Sequence, residues 1–173
     1  MSDLIAGTWT IDPSHSEVGF TVRHLMSKVR GQFEKFEGTV TTGADLKDTT
    51  AEATIDLGSI TTRDAQRDAH LRSADFFDVE TNGHMTFKSV QFDGETATGV
   101  LTIKGISKPV ELTVEYLGVE KDPWGGQRVG FEASGVISRK DFGVDFNVPL
   151  DGGKVLVGDA VNITLAIEAV LQG

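Results

Sequence analysis

Arg128-Val129-Gly130-Phe131-Glu132-Ala133-Ser134-Gly135-Val136-Ile137 decides the fold, together with Val161-Asn162-Ile163-Thr164-Leu165-Ala166-Ile167-Glu168-Ala169-Val170-Leu171. Val129, Phe131, Ala133, Gly135 and Ile137 occupy every second position of the first run; Val161, Ile163, Leu165, Ile167, Ala169 and Leu171 do so in the second. A two-residue period sends successive side chains to opposite faces of an extended chain, so each run reads as a strand with one apolar face. The pattern recurs over Val18, Phe20 and Val22, over Ala53, Ile55 and Leu57, and over Val110, Leu112, Val114 and Tyr116. It breaks where Phe33 and Phe36 flank Glu34-Lys35 and where Phe87 and Val90 flank Lys88-Ser89, which predicts bulges that bend those strands.

Turn-forming clusters separate the runs: Asp12-Pro13-Ser14, Thr42-Gly43-Ala44-Asp45, Asp93-Gly94, Asp122-Pro123-Trp124-Gly125-Gly126 and Asp151-Gly152-Gly153. Eight or nine antiparallel strands with one apolar face each require either a two-sheet sandwich or a closed barrel. The bulges and 20 glycines supply the bends that closure needs, and so favour the barrel. Residues 58–83 interrupt the pattern. There Thr62 is expected to cap one short helix through Leu71 and Arg72, between the fourth and fifth strands, with a thin face of Ala65 and Ala69 and an anchor in Phe76 and Phe77. No repeat or linker divides residues 1–173, which read as a single domain.

The chain has 173 residues, 16 basic and 26 acidic side chains and a net charge of −10. That balance argues against nucleic acid and, on the mean field, against anionic membrane surfaces. The absence of cysteine rules out disulfides, thiolate metal sites and a thiol nucleophile. Met1-Ser2-Asp3-Leu4-Ile5-Ala6-Gly7 carries an early acid in place of a basic leader region, and no run approaches the ~20 apolar residues of a spanning helix. The expectation is a soluble, cytoplasmic protein without an integral membrane segment.

Polar motifs offer little chemistry. Asp12, Ser14 and His15 have the residue types of a hydrolytic triad, but so close together in a turn they read as a cap. The four histidines lack metal-ligand spacing, and Trp124-Gly125-Gly126 lacks the lysine, serine and helix of a phosphate loop. No catalytic residue, metal ligand or cofactor is assigned. Phe20, Phe33, Phe36, Phe87 and Phe131 lie on the apolar faces of five runs; periodicity alone allows them either to fill a core or to line a tunnel. Arg67, Asp68, His70 and Arg72 form either a solvated helix face or a charged patch for a ligand headgroup, with His24 and Arg139 as further candidates.

Several ordered segments together resemble the YceI family. They are Trp9-Thr10-Ile11-Asp12 with His15-Ser16, Phe20-Thr21-Val22-Arg23-His24, Gly31-Gln32-Phe33, Ser59-Ile60-Thr61-Thr62, Arg67 through Asp78, Asp122-Pro123-Trp124-Gly125 and Arg139-Lys140-Asp141-Phe142-Gly143. The resemblance spans nearly the whole chain. It implies a lipocalin-like, eight-stranded antiparallel barrel that binds, transports or stores a polyisoprenoid, isoprenoid quinone or fatty-acid-like lipid in its interior. On that basis Phe20, Val22, Phe33, Phe36, Ile55, Phe87, Leu101, Leu112, Val114, Phe131, Ile163 and Leu165 are the expected lining, with His24, Arg67, His70 and Arg139 near the headgroup. The chain is expected to bind without turnover. Two alternatives remain: an enzyme acting on such a lipid through His24, Arg67, Asp68 or His70, and a stress-related interaction module. Strand edges opened by bulges also suggest a homodimer.

Overall fold

The computed structural model describes residues 4–150 and 155–173. The predicted turn at Asp151-Gly152-Gly153 lies outside them. The chain forms β1 (Gly7–Ile11), β2 (Glu17–His24), β3 (Ser27–Phe33), β4 (Phe36–Thr42), β5 (Thr50–Asp56), β6 (Ile60–Thr61), α1 (Ala65–Arg72), β7 (His84–Phe92), β8 (Thr96–Ile103), β9 (Ile106–Lys121), β10 (Gln127–Ser138) and β11 (Val157–Leu171). Strands β1, β4, β5, β7, β8, β9, β10 and β11 follow one another around a ring, and β11 closes it on β1. This is an eight-stranded antiparallel barrel.

Two composite strands build its wall. The long β11 pairs with β1 over Ala169–Leu171 and with β2 over Val161–Ala166, so β1 and β2 are one strand interrupted by the 3-10 turn Pro13–His15. Likewise β3 pairs with β2 and β4 with β1, the kink falling at Glu34-Lys35 where the alternation fails. Counted this way, α1 follows the third strand and precedes the fourth. The second expected bulge is present as a register shift between Ser89 and Gln91, which turns Val90 outward. The seam on which a homodimer was expected is paired by β1 and β11; β3 keeps an edge beyond Gln32 and Phe33, the two residues that β6 covers.

The helix differs from expectation in its cap and its buried face. Asp64, not Thr62, is the N-cap, accepting from Arg67 N at 3.0 Å, and Ala65 and Ala69 face solvent. Thr62 has another task. Its main-chain N–H donates to Asp68 Oδ1 at 2.8 Å and its hydroxyl to the same oxygen, while Arg67 Nε donates to Thr62 Oγ1 at 2.7 Å. Apolar burial supplied by two alanines is too small to seat a helix, so this buried polar network and the neighbouring Leu71, Phe76 and Phe77 fix α1 to the barrel. Among the described residues no helix is long and apolar enough to cross a membrane.

One end of the barrel is solid. Trp9, Ile11, Val40, Val129, Phe131 and Ala169 form its plug, and Trp9 Nε1 donates to Thr42 Oγ1 at 2.8 Å. On the outer rim of that end, Arg128 Nη1 donates to Asp12 Oδ2 at 2.8 Å and to Glu168 Oε2 at 2.7 Å, while its Nε donates to Asp122 Oδ2 at 3.1 Å. One guanidinium therefore ties the β1–β2 break, the β9–β10 loop and β11 together. Arg128, with Ser14 and His15, holds the Asp12 carboxyl far below the usual carboxylate range. A depressed folded-state value gives stability that is fully present above the unfolded carboxylate range of about pH 4 and is lost as pH falls below it. The Arg128→Met variant should therefore be less stable than wild type at pH 7, and the difference should shrink as chemical denaturation is repeated at successively lower pH below about 4. A difference that stays constant across that range would show that Arg128 acts through packing alone.

Candidate functional site

The other end of the barrel is hollow. A cavity of about 300 Å³ opens there, at the lower end of the ~300–1,000 Å³ typical of ligand pockets. Phe20, Val22, Phe33, Phe36, Ile55, Phe87, Leu101, Leu112, Ile163 and Leu165 line it. Val114 and Phe131 do not. They pack in or against the plug, Phe131 tilted on Tyr116 at a ring separation of 5.5 Å. The reason is height along the barrel: an inward face says nothing about whether a residue lies at the filled or the hollow end. On β10 the inward residues shrink from Val129 and Phe131 to Ala133 and Gly135, and the hollow begins above that step.

Close approach by glycine shapes two of the aromatic walls. The Phe20 ring lies against Gly31 across β2 and β3, and the Phe87 ring lies against Gly99 across β7 and β8. A Cβ at either glycine would occupy the ring's position. Glycine on the neighbouring strand thus lets each phenylalanine lie back along the wall instead of projecting into the cavity.

The lining has four charged or titratable side chains, His24, Arg67, His70 and Arg139. All four expected headgroup candidates reach the cavity, but they are not equivalent. Arg139 is buried and its guanidinium serves four main-chain carbonyls: Gly158 at 2.9 Å, Val144 at 2.8 Å, Phe146 at 2.9 Å and Val157 at 3.4 Å. Burial lowers its pKa, opposed by Asp159 and Asp145. Arg139 is thus a bolt holding the strand-free stretch 143–148 against β11, which corrects its reading as a headgroup ligand. Arg67 engages Thr62 through Nε and through Nη2, the latter donating to Thr62 O at 2.8 Å, and Nη1 has no hydrogen-bond partner among the described residues. His70 Nε2 lies 2.8 Å from Asp75 Oδ2, and its ring packs edge-on against Phe76 at 5.0 Å and Phe146 at 4.9 Å. His24 ends β2 beside Val157.

Sequence reasoning missed one wall. Phe142, Val144 and Phe146 line the cavity with Leu156 and Val157. Phe142, Val144, Phe146 and Val148 stand at every second position, a signal that was present but short and flanked by turn residues. The segment is extended without joining the barrel's ladder, because Arg139 satisfies its carbonyls where a neighbouring strand would otherwise do so.

At the closed end, the Asp12-Ser14-His15 group is a turn. Ser14 N and Oγ both donate to Asp12 Oδ1, and Ser14 Oγ and Asp12 Oδ2 both meet the same His15 nitrogen, Nδ1, at 3.2 and 2.9 Å. A catalytic relay uses the two ring nitrogens separately, so this arrangement caps and does not activate. Asp12, His15 and Glu168 also bring ligand-type atoms within 4.8 Å of one another, but Arg128 already bonds both carboxylates.

The YceI-like domain family matches residues 9–169. The chain belongs to the YceI family. A UPF0312 protein of Staphylococcus epidermidis is 41% identical over 165 residues, covering 92% of this chain and 95% of the relative. A UPF0312 protein of Staphylococcus aureus is 38% identical over 166 residues with the same coverage. Among solved structures, Burkholderia cenocepacia BcnA superposes with a TM-score of 0.76 at 25% identity, over 91% of this chain and 98% of that one. The Campylobacter jejuni YceI protein gives 0.74 at 30% identity, over 87% and 90%. A polyisoprenoid-binding domain from Saccharophagus degradans gives 0.70 at 15% identity, over 97% of this chain and all of that one, and shares the fold.

Proposed function

We propose that this YceI barrel binds a long-chain isoprenoid-type lipid without chemical conversion, its apolar tail in the cavity and its headgroup near His24, Arg67 and His70. The observation that carries this reading is a cavity whose lining is apolar except for four side chains at its open half, one of which is committed to main-chain carbonyls. Each CH₂ group buried there gains about 0.8 kcal/mol before ordering costs are subtracted. Arg67 Nη1 and His24 supply donors for a phosphate or quinone oxygen at the rim, where charge orients a headgroup without reacting with it. The Saccharophagus degradans domain described as polyisoprenoid-binding supports the class of ligand.

Native mass spectrometry of protein purified from its own cells, with organic extraction of whatever it carries, tests the proposal. An adduct that extracts as a prenyl lipid or quinone is expected. Purified protein is then incubated with prenyl diphosphates, quinones and acyl esters, and the lipids are recovered and weighed. Recovery unchanged in mass is expected. Conversion of any of them that is abolished by His70→Ala or His24→Ala, while binding persists, would make the protein an enzyme.

A further inference from the structure

The turn between β2 and β3 presents Leu25 and Met26 to solvent, 55% and 92% exposed. Leu25 N donates to Leu156 O at 2.8 Å, Leu156 N donates to Val148 O at 3.0 Å, and Pro149 bridges to Val155. These contacts gather Leu25, Met26, Val148 and Val155 into one exposed apolar rim, continuous with the cavity wall through Leu156. Leu25 belongs to neither the core clusters nor the cavity lining among the described residues. Its φ of 56° lies in the left-handed region that a branched side chain enters at a cost and that asparagine or aspartate tolerates far better.

Charge around this rim departs from the acidic average. Residues 18–33 contain Arg23, Lys28 and Arg30 and no aspartate or glutamate, in a chain whose net charge is −10. Arg23 and Lys28 are direct cross-strand partners, a like-charge juxtaposition that destabilises a hairpin. Alternation places them, with Arg30, on the outer face of the wall whose inner face is Val22 and Val29. None of the three is ion-paired to a carboxylate among the described residues. Among the acids of the adjoining elements, Asp159 accepts from Ser138 Oγ and Lys140 N, and Asp75 lies against His70. With charges screened beyond about 8–10 Å, a surface approaching the β2–β3 turn meets the local charge of this hairpin and not the mean charge of the chain.

We propose that the open end docks on an anionic phospholipid bilayer, Leu25 and Met26 entering the interface while Arg23, Lys28 and Arg30 meet the lipid phosphates. Docking in this orientation places the cavity mouth against the membrane, the source or destination of an apolar ligand. It takes its purpose from the lipid-binding reading, but its geometry stands without it. The mean field of a chain with net charge −10 disfavours anionic membranes, but the fold segregates charge so that the mean does not describe this hairpin.

The test is co-sedimentation of the whole protein with phosphatidylcholine vesicles, with and without phosphatidylglycerol, across a salt series. Wild type should bind the anionic vesicles only, less at high salt. Leu25→Asn/Met26→Asn should abolish binding, and Arg23→Gln/Lys28→Gln/Arg30→Gln should weaken it by about fivefold for each cation removed. Native mass spectrometry of both variants should find the apolar ligand still bound, since neither alters the lining. No binding of wild type to anionic vesicles, or binding unchanged in the glutamine variant, overturns the docking surface. Self-association of that variant with vesicle binding unchanged would instead assign the cations to guarding the β3 edge. A wild-type dimer in light scattering that the asparagine variant dissolves would assign the apolar rim to a second copy, and also overturns docking. Retained ligand without vesicle binding removes docking alone; vesicle binding without any retained ligand removes the lipid-binding reading alone.

Discussion

Ile163→Trp should empty the barrel of lipid without unfolding it. Ile163 points into the cavity from β11, opposite Phe20 on β2, and is only partly buried, so the larger ring has a void of about 300 Å³ to enter. Overpacking a filled core commonly costs about 1–3 kcal/mol, but filling a cavity avoids most of that penalty and often stabilises a protein. The ring takes the volume of several methylene groups, each worth about 0.8 kcal/mol to a bound tail, so ligand retention should fall by at least about tenfold. Quantifying lipid recovered per mole of protein, alongside thermal unfolding, separates the two effects. A variant that retains lipid at the wild-type level with an unchanged melting temperature would place the ligand outside this cavity.

Truncation at the opposite end should have the reverse signature. Trp9 is fully buried in the plug, packed among Ile11, Val40, Val129, Phe131 and Ala169. Trp9→Ala removes that packing and one hydrogen bond to Thr42, at a cost of about 3–5 kcal/mol for a large-to-small core change. In a domain of this size that corresponds to a fall in melting temperature of roughly 6–20 °C. Variant molecules still folded at low temperature should keep most of their cavity and their ligand, because the plug and the hollow meet only at Ile11, Phe36 and Ile167. Phe131→Arg makes the same point more severely: it buries a charge in the plug and should prevent folding, where the same change at a tunnel wall would only have obstructed the ligand. Soluble, melting-competent Phe131→Arg protein would return Phe131 to the lining.

These contrasts locate the limit of sequence reading. Alternation at Val129–Ile137 and Val161–Leu171 names the inward side chains correctly, since a strand's period of two leaves no freedom about which face a residue takes. The interruptions at Glu34-Lys35 and Lys88-Ser89 mark the places where the wall bends for the same reason. The ordered motifs from Trp9 to Gly143 gave the family, whose match extends over residues 9–169. Position along the barrel axis is different. It depends on register between strands far apart in sequence, such as Phe131 opposite Ile167 and Tyr116, and neither partner is written locally.

The sequence by itself determined the strand faces and the bends, which periodicity and local turn chemistry carry, and the family, which the ordered motifs carry; the bulges favoured a barrel over a sandwich and the family resemblance implied its eight strands. Tertiary structure alone decided that one end is filled and the other hollow, that Asp64 caps α1 while Thr62 seats it, and that Arg139 fastens a loop while Arg67 keeps an open donor. It also decided that an acidic chain presents its basic hairpin at the mouth. Packing, hydrogen-bond commitment and local potential are sums over neighbours brought together by the fold, and only closure of the ring chooses those neighbours.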